Sequence, residues 1–489
     1  MQASTSKRTP VCVPVCEKDL AALRNACELA TEWADVIELR LDCLTELPED
    51  LASDFSRPLI LTFRPTEQGG HRESTRAERK AFWTSVAPQI NSDWWDVEGD
   101  LVDELSLNWP RIIVSHHDFS GVPDDLEEIY ERLAATPAAI VKIAVQATDI
   151  TDCLPVFHLL DRARSEGREL IAIAMGNAGI ATRVLGPSRG SFLTYGALDD
   201  ESATAPGQVN ARNLRSLYHI DKIDNETMIC GLIGLPVMHS LSPQIHNAAF
   251  VSEGVNGVYL PFEVHDVTQF FKRMVHPRTR ELDWNLRGLS VTAPHKQTVM
   301  ELLDWIEPKA REIGAVNTVV VDQDRLLGYN TDAAGFVAPL IHRFGSLADR
   351  RVAIIGAGGA ARAAVWALRE QEANLTIFAR DVAKAKPLTD LFNVSCEPLS
   401  SASFAGYDLV VNTTPVGSGA QTDQSPCTRE QLNGARCVYD LIYNPKETRL
   451  LREAGELGCE TLGGFEMLAA QAKLQFSLWT GKQAADKRG

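Results

Sequence analysis

The 489-residue sequence contains no stretch approaching about 18 uninterrupted apolar residues, which leaves no candidate membrane-spanning helix. Its first 15 residues carry neither a signal-peptide hydrophobic region nor a long Arg/Ser-rich transit segment, so a cytoplasmic location is expected. The ten cysteines include no CxxC pair, and Cys12 and Cys16 sit in an apolar run that reads as a buried strand. Small core hydrophobes are therefore expected, with neither disulfide nor zinc. Positive charge is in deficit: 48 Lys+Arg against 65 Asp+Glu gives a net charge of −17, a sign that disfavours a nucleic-acid partner. There is no repeat of fixed period and no low-complexity tract. What is present is an ordinary globular mix, 45% apolar and 23% charged, and the length suggests about three units of roughly 150 residues each.

Through about residue 200, apolar β-rich runs alternate with polar stretches of helical period. The runs are VCVPVC (11–16), VIELRLD (36–42), LILTFR (59–64), WWDVEG (94–99), RIIVSHHD (111–118), AIVKIAV (139–145), LIAIAMG (170–176) and FLTYGAL (192–198). With segments such as DLEEIYERLAAT (125–136) suited to amphipathic helices, this pattern predicts a parallel eight-stranded α/β barrel. Small and polar residues from 199, one predicted helix and a charged stretch to 226 mark a boundary before a new apolar run at Met228. Strands and helices then alternate less regularly until RRVAIIGAGGAARAAVWAL (350–368) announces a strand, a Gly-rich turn and a helix.

In such a barrel, chemistry is done by side chains at the C-terminal ends of strands. Those positions are unusually charged here: Glu38 and Arg40, Arg64, Asp96 and Glu98, His116 and His117, and Lys142 within strand six. One such residue reads as a structural ion pair, whereas five successive strands carrying them point to a site. Lys142 is flanked by Ile140, Val141, Ile143 and Ala144. Drawn into the barrel mouth, it loses hydration, which favours a free amine able to attack a carbonyl carbon; the residues alone equally allow a lysine paired with Glu38 or Glu98. His117 suits removal of a proton beside an iminium and return of a proton to a leaving hydroxyl, and Arg40, Arg64 and Arg183 offer planar forks for a carboxylate. The inferred reaction is β-elimination of water from a carbonyl-containing carboxylic acid.

The strings IELRLD, LTFRPTEQGG, SHHDF, IVKIAV, AMGNAGIATR and ATAPGQ, in this order, resemble type I 3-dehydroquinate dehydratase over nearly all of residues 10–220. The resemblance implies a Schiff-base Lys142 and an acid/base His117. Glu38, Arg40, Arg64, Arg183, Thr204 and Gln208 would contact substrate, the last two on a closing loop. One position departs from the family pattern: Gln68 stands where a Glu is usual, with Glu67 one residue earlier. An amide cannot supply the charge that raises an imidazole's pKa, so Asp96, Glu98 or a shifted Glu67 would have to do so.

In the second half, Gly356-Ala357-Gly358-Gly359-Ala360 follows VAII and opens an Ala-rich helix, a context that lets a pyrophosphate approach the backbone. The next strand ends in Arg380, where a cation favours the 2′-phosphate of NADP, although Asp381 follows and could bind a ribose. Before this, Ser240 and Ser242, Thr292 and Lys296, and Asn317 with Thr331 and Asp332 punctuate apolar strands. Each cluster alone is an ordinary turn former; together they could bind a polyol carboxylate and move a proton beside a carbonyl being reduced. The ordered motifs GLPVMHSLSPQIHN, SVTAPHK, GAVNTVV, GYNTD, GAGGAAR, NTTPVG, YDLIYNP and GGFEMLAAQA resemble shikimate dehydrogenase across residues 228–481. The resemblance implies a catalytic Lys296–Asp332 pair. Ser240, Ser242, Thr292, Asn317, Tyr443 and Gln471 would hold substrate, and Gly356, Ala357, Gly358, Gly359, Ala360, Arg380, Thr414 and Gly464 would hold NADP. Ser290 and Ala293 replace the Asn and the larger apolar residue common in single-domain members, and neither change removes a proton-transfer group.

The expected architecture is α/β: a TIM-type barrel (1–222), a substrate-binding lobe (223–335) completed by a C-terminal helix (464–489), and a Rossmann NADP domain (336–463). The two resemblances together imply dehydration of 3-dehydroquinate followed by NADPH-dependent reduction of 3-dehydroshikimate to shikimate. The partners are small-molecule acids, with no metal, nucleic acid or membrane, and the sequence is silent on oligomeric state. A quinate dehydrogenase fusion and a non-catalytic metabolite sensor are the alternatives. The paired Ser240 and Ser242 favour shikimate over quinate, and a sensor has no need of Lys142 with His117 or Lys296 with Asp332.

Overall fold

The computed structural model describes residues 9–46, 55–205 and 207–482. Pro206 of the ATAPGQ motif and residues 483–489 of the expected C-terminal segment lie outside the described residues. By its internal contacts the chain divides into two compact units, Met1–Leu286 and Arg287–Gly489.

The first unit opens with eight parallel strands: β1 (Val11–Val15), β2 (Val36–Arg40), β3 (Leu59–Thr62), β4 (Trp94–Glu98), β5 (Ile112–Asp118), β6 (Ile140–Gln146), β7 (Leu170–Met175) and β8 (Thr194–Tyr195). Their order is β7-β6-β5-β4-β3-β2-β1-β8, and a parallel bridge between Leu170 and Ser191 brings the two ends of the sheet together, so the barrel is near-closed. All eight expected strands are present. The eighth is reduced to two residues, and the crossover from β4 to β5 holds only short 3-10 turns, Val102–Glu104 and Trp109–Arg111, in place of a helix.

Alternation along each strand decides what fills the barrel. Cys12, Val36, Ile60, Ile113, Ile140 and Ile171, one from each of six strands, form an apolar plug with Leu193 and Tyr195. Two residues further along four of these strands, on the same face, stand Glu38, Thr62, Ser115 and Lys142. The period of two that buries the plug therefore delivers a buried polar layer above it, toward the C-terminal ends. Parallel β9 (Met228–Gly234) and β10 (Gly257–Glu263), joined through the helix Ser242–Ser252, complete this unit.

Cys16 and Cys43 form a disulfide, contrary to the expectation from the sequence. They are 27 residues apart and in no recognisable motif, but each follows the C-terminal end of one of two neighbouring parallel strands, β1 and β2, and the register sets Val15 opposite Leu39. The other eight cysteines are in no disulfide.

In the second unit, β11 (Leu286–Val291), β13 (Thr318–Asp322) and β14 (Arg325–Tyr329) pair antiparallel, with β12 (Trp305–Ile306) parallel on β14. A six-stranded parallel sheet follows, built from β15 (Arg351–Ile355), β16 (Asn374–Ala379), β17 (Ser395–Pro398), β18 (Leu409–Asn412), β19 (Cys437–Asp440) and β20 (Glu460–Leu462). Its order, β17-β16-β15-β18-β19-β20, is the doubly wound Rossmann order. Val352 and Ile354 pack into one apolar cluster and Ala353 and Ile355 into another, which is why VAII reads as an unbroken apolar run. The C-terminal helix Phe465–Thr480 returns to the antiparallel strands, where Trp479 Nε1 donates to Val319 O at 3.0 Å. Among the described residues no helix is long and apolar enough to cross a membrane.

Candidate active sites

Glu38, Arg40, Arg64, His117, Lys142, Arg183, Thr204 and Gln208, named from six different stretches of sequence, all line one cavity at the C-terminal mouth of the barrel, with about 480 Å³ of free space including its opening. Lys142 is buried, and its Nζ donates to Asp96 Oδ2 at 2.7 Å and to the Tyr195 hydroxyl at 2.9 Å, with Glu38 Oε2 at 3.8 Å. The closest carboxylate is thus Asp96; the Glu38 considered from sequence is a second, longer ion-pair partner, and the Glu98 considered with it is paired with Arg79 instead. Arg64 Nη2 contacts the same Asp96 oxygen at 2.7 Å, and Arg64 Nη1 donates to Ser115 Oγ at 2.8 Å. Burial alone would raise the Asp96 carboxyl, but the Arg64 guanidinium and the Lys142 ammonium hold it well below the usual range, so Asp96 is a permanent carboxylate.

The same cations act on His117. Burial, followed by the positive charges of Arg64 and Lys142, pushes its imidazole well below the ordinary value, against a smaller upward pull from Asp96. It is neutral at pH 7 and able to accept a proton. Gln68 lines the cavity, whereas Glu67 is exposed in the 3-10 turn Thr66–Gln68, so no one-residue shift brings a carboxylate to the imidazole.

The three arginines are not equivalent. Arg40 is gripped by Asp42, its Nε and Nη2 donating to the two carboxylate oxygens at 3.0 and 2.9 Å, and it also donates to Gly69 O at 3.1 Å. Arg64 is held by Asp96 and Ser115, as above. Arg183 is fully buried, its Nε and Nη2 have no hydrogen-bond partner among the described residues, and burial brings it down to about 10. Donors of a buried guanidinium in this state can pair with an anion. Thr204 and Gln208 are tied to each other, the Thr204 N–H donating to Gln208 Oε1 at 2.8 Å. Asp42 and Tyr195 were not identified as site residues. Period-two spacing from the plug could have found Tyr195 in the last strand, and Asp42 closes the IELRLD string.

In the second unit, Lys296 Nζ donates to Asp332 Oδ2 at 2.6 Å. Asn317 Nδ2 donates to Asp332 Oδ1 at 2.7 Å and to Thr331 Oγ1 at 2.9 Å, and Asn317 Oδ1 accepts from the Thr331 N–H at 2.8 Å. Thr331 Oγ1 reaches Gln471 Oε1 at 3.4 Å. Behind this network lies Gln475, buried on the C-terminal helix. Its Oε1 accepts from Ser290 Oγ at 2.8 Å, and its Nε2 donates to Thr318 Oγ1 at 3.0 Å and to Asn317 O at 3.2 Å. Gln475 was missed, although its four-residue spacing from Gln471 places both on one helix face. Thr292 and Tyr443 are half-buried, with no side-chain hydrogen bond to this network. In the first unit, Ser240 Oγ donates to Ser242 Oγ at 3.1 Å and accepts from the Ser242 N–H at 3.1 Å, at the start of the helix Ser242–Ser252.

The Gly-rich turn suits a dinucleotide. Gly356 has φ +111°, and a Cβ there would lie 2.7 Å from Thr413 Oγ1, so the turn needs glycine. Gly358 faces open space just before the helix Gly359–Arg369, and a Cβ on Gly359 would lie 3.3 Å from Lys296 Cδ, which sets the turn beside the Lys296–Asp332 pair. Ala357 and Ala360 complete the turn. Thr414 is held by Asn412 at 2.7 Å, and Gly464 opens the C-terminal helix, where a Cβ would lie 2.1 Å from Leu441 O. Arg380 is exposed just past β16, while Asp381 is spent on capping the next helix, accepting from the Lys384 N–H at 3.1 Å.

Comparison with known proteins finds relatives for both halves of the chain. A family model described as Type I 3-dehydroquinase matches residues 11–225. Models for the shikimate dehydrogenase substrate binding domain, Shikimate / quinate 5-dehydrogenase and the Shikimate 5'-dehydrogenase C-terminal domain match residues 232–319, 340–418 and 464–487. The chain is 33% identical over 509 residues to the chloroplastic bifunctional 3-dehydroquinate dehydratase/shikimate dehydrogenase of Arabidopsis thaliana, a match covering 97% of this chain and 82% of that one. It is 31% identical over 458 residues to the shikimate biosynthesis protein AroDE of Chlamydia pneumoniae, covering 91% and 90%. About half of it (53%) is 39% identical to 94% of a shikimate dehydrogenase (NADP(+)) of Methanococcus maripaludis. A crystal structure of a shikimate dehydrogenase in complex with NADP+ covers 54% of this chain and 93% of its own, at 38% identity and a TM-score of 0.50. With such a relative matching nearly its whole length, the chain belongs to the family of bifunctional 3-dehydroquinate dehydratase/shikimate dehydrogenases.

Proposed function

We propose that the barrel dehydrates 3-dehydroquinate to 3-dehydroshikimate through a Schiff base on Lys142, and that the second activity reduces this product to shikimate with NADPH. The observation that carries the reading is the buried Lys142 amine sharing a cavity with a neutral His117 and an open Arg183 guanidinium.

Each side chain has a task in this scheme. The substrate carboxylate docks on Arg183, the one arginine of the three not already committed to protein oxygens. Lys142 Nζ gives a proton to His117 and attacks the ketone carbon; the carbinolamine hydroxyl takes a proton back and leaves as water to give the iminium, while Asp96 and Tyr195 hold the nitrogen in place. His117 removes the proton beside the iminium carbon and returns one to the departing hydroxyl. Glu38, Arg40 and Arg64 contact the ring hydroxyls, and Thr204 and Gln208 cover the mouth and exclude water.

For the second reaction, Lys296 protonates the developing alkoxide, and Asp332 and Asn317 fix its Nζ. Ser240, Ser242, Thr292, Tyr443 and Gln471 bind the polyol acid. The Gly356–Ala360 turn with Thr414 and Gly464 would hold NADP, Arg380 would meet its 2′-phosphate, and the cofactor would supply the hydride. On this reading the chain comprises a barrel over residues 1–222, a substrate lobe over 223–335 with the C-terminal segment 464–489, and a Rossmann domain over 336–463. The proposal includes a cytoplasmic location, with eight of the ten cysteines outside any disulfide and the Cys16–Cys43 bond the exception; imaging of the tagged full chain tests it.

The deciding measurement is the product made from 3-dehydroquinate with and without NADPH. 3-Dehydroshikimate should accumulate without it, and shikimate should form with stoichiometric NADPH consumption when it is present. Borohydride added with substrate should leave a covalent adduct on the Lys142 peptide, absent in Lys142→Ala. An active enzyme with no adduct would overturn the Schiff-base step, and faster turnover with quinate than with shikimate in the oxidative direction would overturn the substrate assignment.

A further inference from the structure

The disulfide stands at a corner of the barrel that the chemistry above does not use. Cys16 directly follows β1, and Cys43 lies three residues past β2, so both sulfurs sit on the rim where Arg40 and Asp42 meet. Both cysteines are half-buried and thus within reach of solvent, and a third group joins them: one nitrogen of the exposed His71 and the two sulfurs all lie within 4.8 Å of one another. His71 is also fastened to this corner through its main chain, its N–H donating to Asp42 Oδ2 at 3.0 Å. Asp42 is the carboxylate that grips both Nε and Nη2 of Arg40. Arg72 adds a further tie by donating to Thr45 O at 2.9 Å. The disulfide, the Asp42–Arg40 clamp and the loop bearing Gln68 and Gly69 are therefore parts of one connected rim.

We propose that Cys16–Cys43 is an exchange-active disulfide, a reversible thiol modification site through which a dithiol reductant sets the affinity of the dehydratase cavity for its substrate. The proposal rests on the dehydratase reading of the barrel. A buried apolar disulfide far from any proton donor is a poor exchange partner; this one is reachable and carries an imidazole beside both sulfurs. In the exchange, a thiolate of the reductant attacks one sulfur, the Cys16–Cys43 bond breaks, and the electron pair leaves on the other sulfur, which takes a proton passed on by the adjacent His71 ring. The second thiol of the reductant then gives up its proton and attacks the reductant's own sulfur in the mixed disulfide; that bond breaks, a cyclic disulfide is released, and the remaining cysteine leaves as a thiolate that takes up the proton. Two electrons and two protons have passed to the cysteine pair. A leaving thiol of lowered pKa departs faster, and an adjacent imidazolium lowers it. In the reduced state β1 and β2 lose their covalent link at the mouth, and the Asp42 carboxylate that aligns Arg40 is held by hydrogen bonds alone.

The two activities of the full chain provide an internal control. Oxidised protein is treated with dithiothreitol, its thiols are alkylated, and its peptides are weighed; both activities are assayed before, after and upon reoxidation. The expected result is new alkylation at Cys16 and Cys43, a KM for 3-dehydroquinate raised about threefold or more because Arg40 is less well placed, and an unchanged reductase. Cys43→Ser should show the raised KM permanently and ignore dithiothreitol. His71→Ala, which leaves the disulfide in place, should slow its reduction by about three- to ten-fold, as expected for a leaving thiol of higher pKa. Should Cys43→Ser fail to fold, the wild-type comparison and the His71→Ala rate still decide. The proposal is overturned if oxidised protein has no Cys16–Cys43 peptide, if KM is the same in both redox states, or if His71→Ala is reduced at the wild-type rate. Failure of the dehydratase reading looks different: no dehydration and no borohydride adduct in either redox state.

Discussion

Glu98 is a residue whose environment opposes its charge. It is buried at the end of β4, its nearest cation is Arg79 Nη1 at 3.6 Å, and burial, only partly offset by Arg64, raises it to about 7. In the unfolded chain the same carboxyl titrates near about 4.3. The folded state therefore binds more protons between these values, and stability contributed by this group falls as pH rises from about 4.3 to 7. The full penalty for ionising it is on the order of 3 kcal/mol. Glu98→Gln removes that penalty, so its melting temperature relative to wild type should climb between about pH 5 and about pH 8; a constant offset across that range would show that Glu98 ionises freely. His117 makes the opposite case, an imidazole held neutral by burial and by the cations of Arg64 and Lys142. The acid limb of dehydratase kcat/KM should fall well below the ordinary imidazole range. Gln68→Glu, which restores a carboxylate at the cavity wall, should move that limb upward, and pH–rate profiles of the two proteins decide it.

At the scale of elements, the C-terminal helix shows how a segment remote in sequence supports a site. Through Gln475, the helix Phe465–Thr480 fixes the Asn317 carbonyl and the Thr318 hydroxyl, and through Asn317 the hydrogen bonds reach Asp332. Gln475→Ala removes a buried acceptor and donor, at a cost of about 1–3 kcal/mol for each group left without a partner. Reductase kcat should drop about tenfold or more, for misplacement of the proton-transfer pair, while the dehydratase rate stays at wild type; an unchanged kcat would remove Gln475 from the support of the site. Elements of this kind were the hard ones to read. β-Branched runs such as RIIVSHHD and AIVKIAV announced their strands because period-two burial writes itself into composition. Lys142 and His117 were legible because charge inside such a run is rare. Gln475 was not, since a glutamine on a helix ordinarily faces water and only a contact 157 residues away at Thr318 shows otherwise. The Cys16–Cys43 bond was hidden for the same reason: strand adjacency, not sequence spacing, brings the sulfurs together.

For the whole molecule, the proposed proton-transfer groups of the two chemistries lie in different units, Lys142 and His117 in the first and Lys296 and Asp332 in the second. Lys142 stands above an apolar plug supplied mainly by barrel strands, and Lys296, Asp332 and Asn317 are hydrogen-bonded to one another within the second unit. Against the net charge of −17, four cations, Arg40, Arg64, Arg183 and Lys142, line the proposed dehydratase cavity, with Glu38 the one carboxylate among its lining residues. Each reaction should consequently be removable without the other, which is a stronger statement than that both are present. Lys142→Ala should reduce 3-dehydroshikimate at the wild-type rate yet make nothing from 3-dehydroquinate, and Lys296→Ala should stop at 3-dehydroshikimate even with NADPH in excess. Mixing the two variants should restore shikimate formation from 3-dehydroquinate, because the intermediate made by one chain can diffuse to the other. A lag before NADPH consumption in the mixture, longer than in wild type at equal site concentrations, would measure what joining the two halves contributes to intermediate capture; equal lags would show that the linkage contributes nothing kinetically.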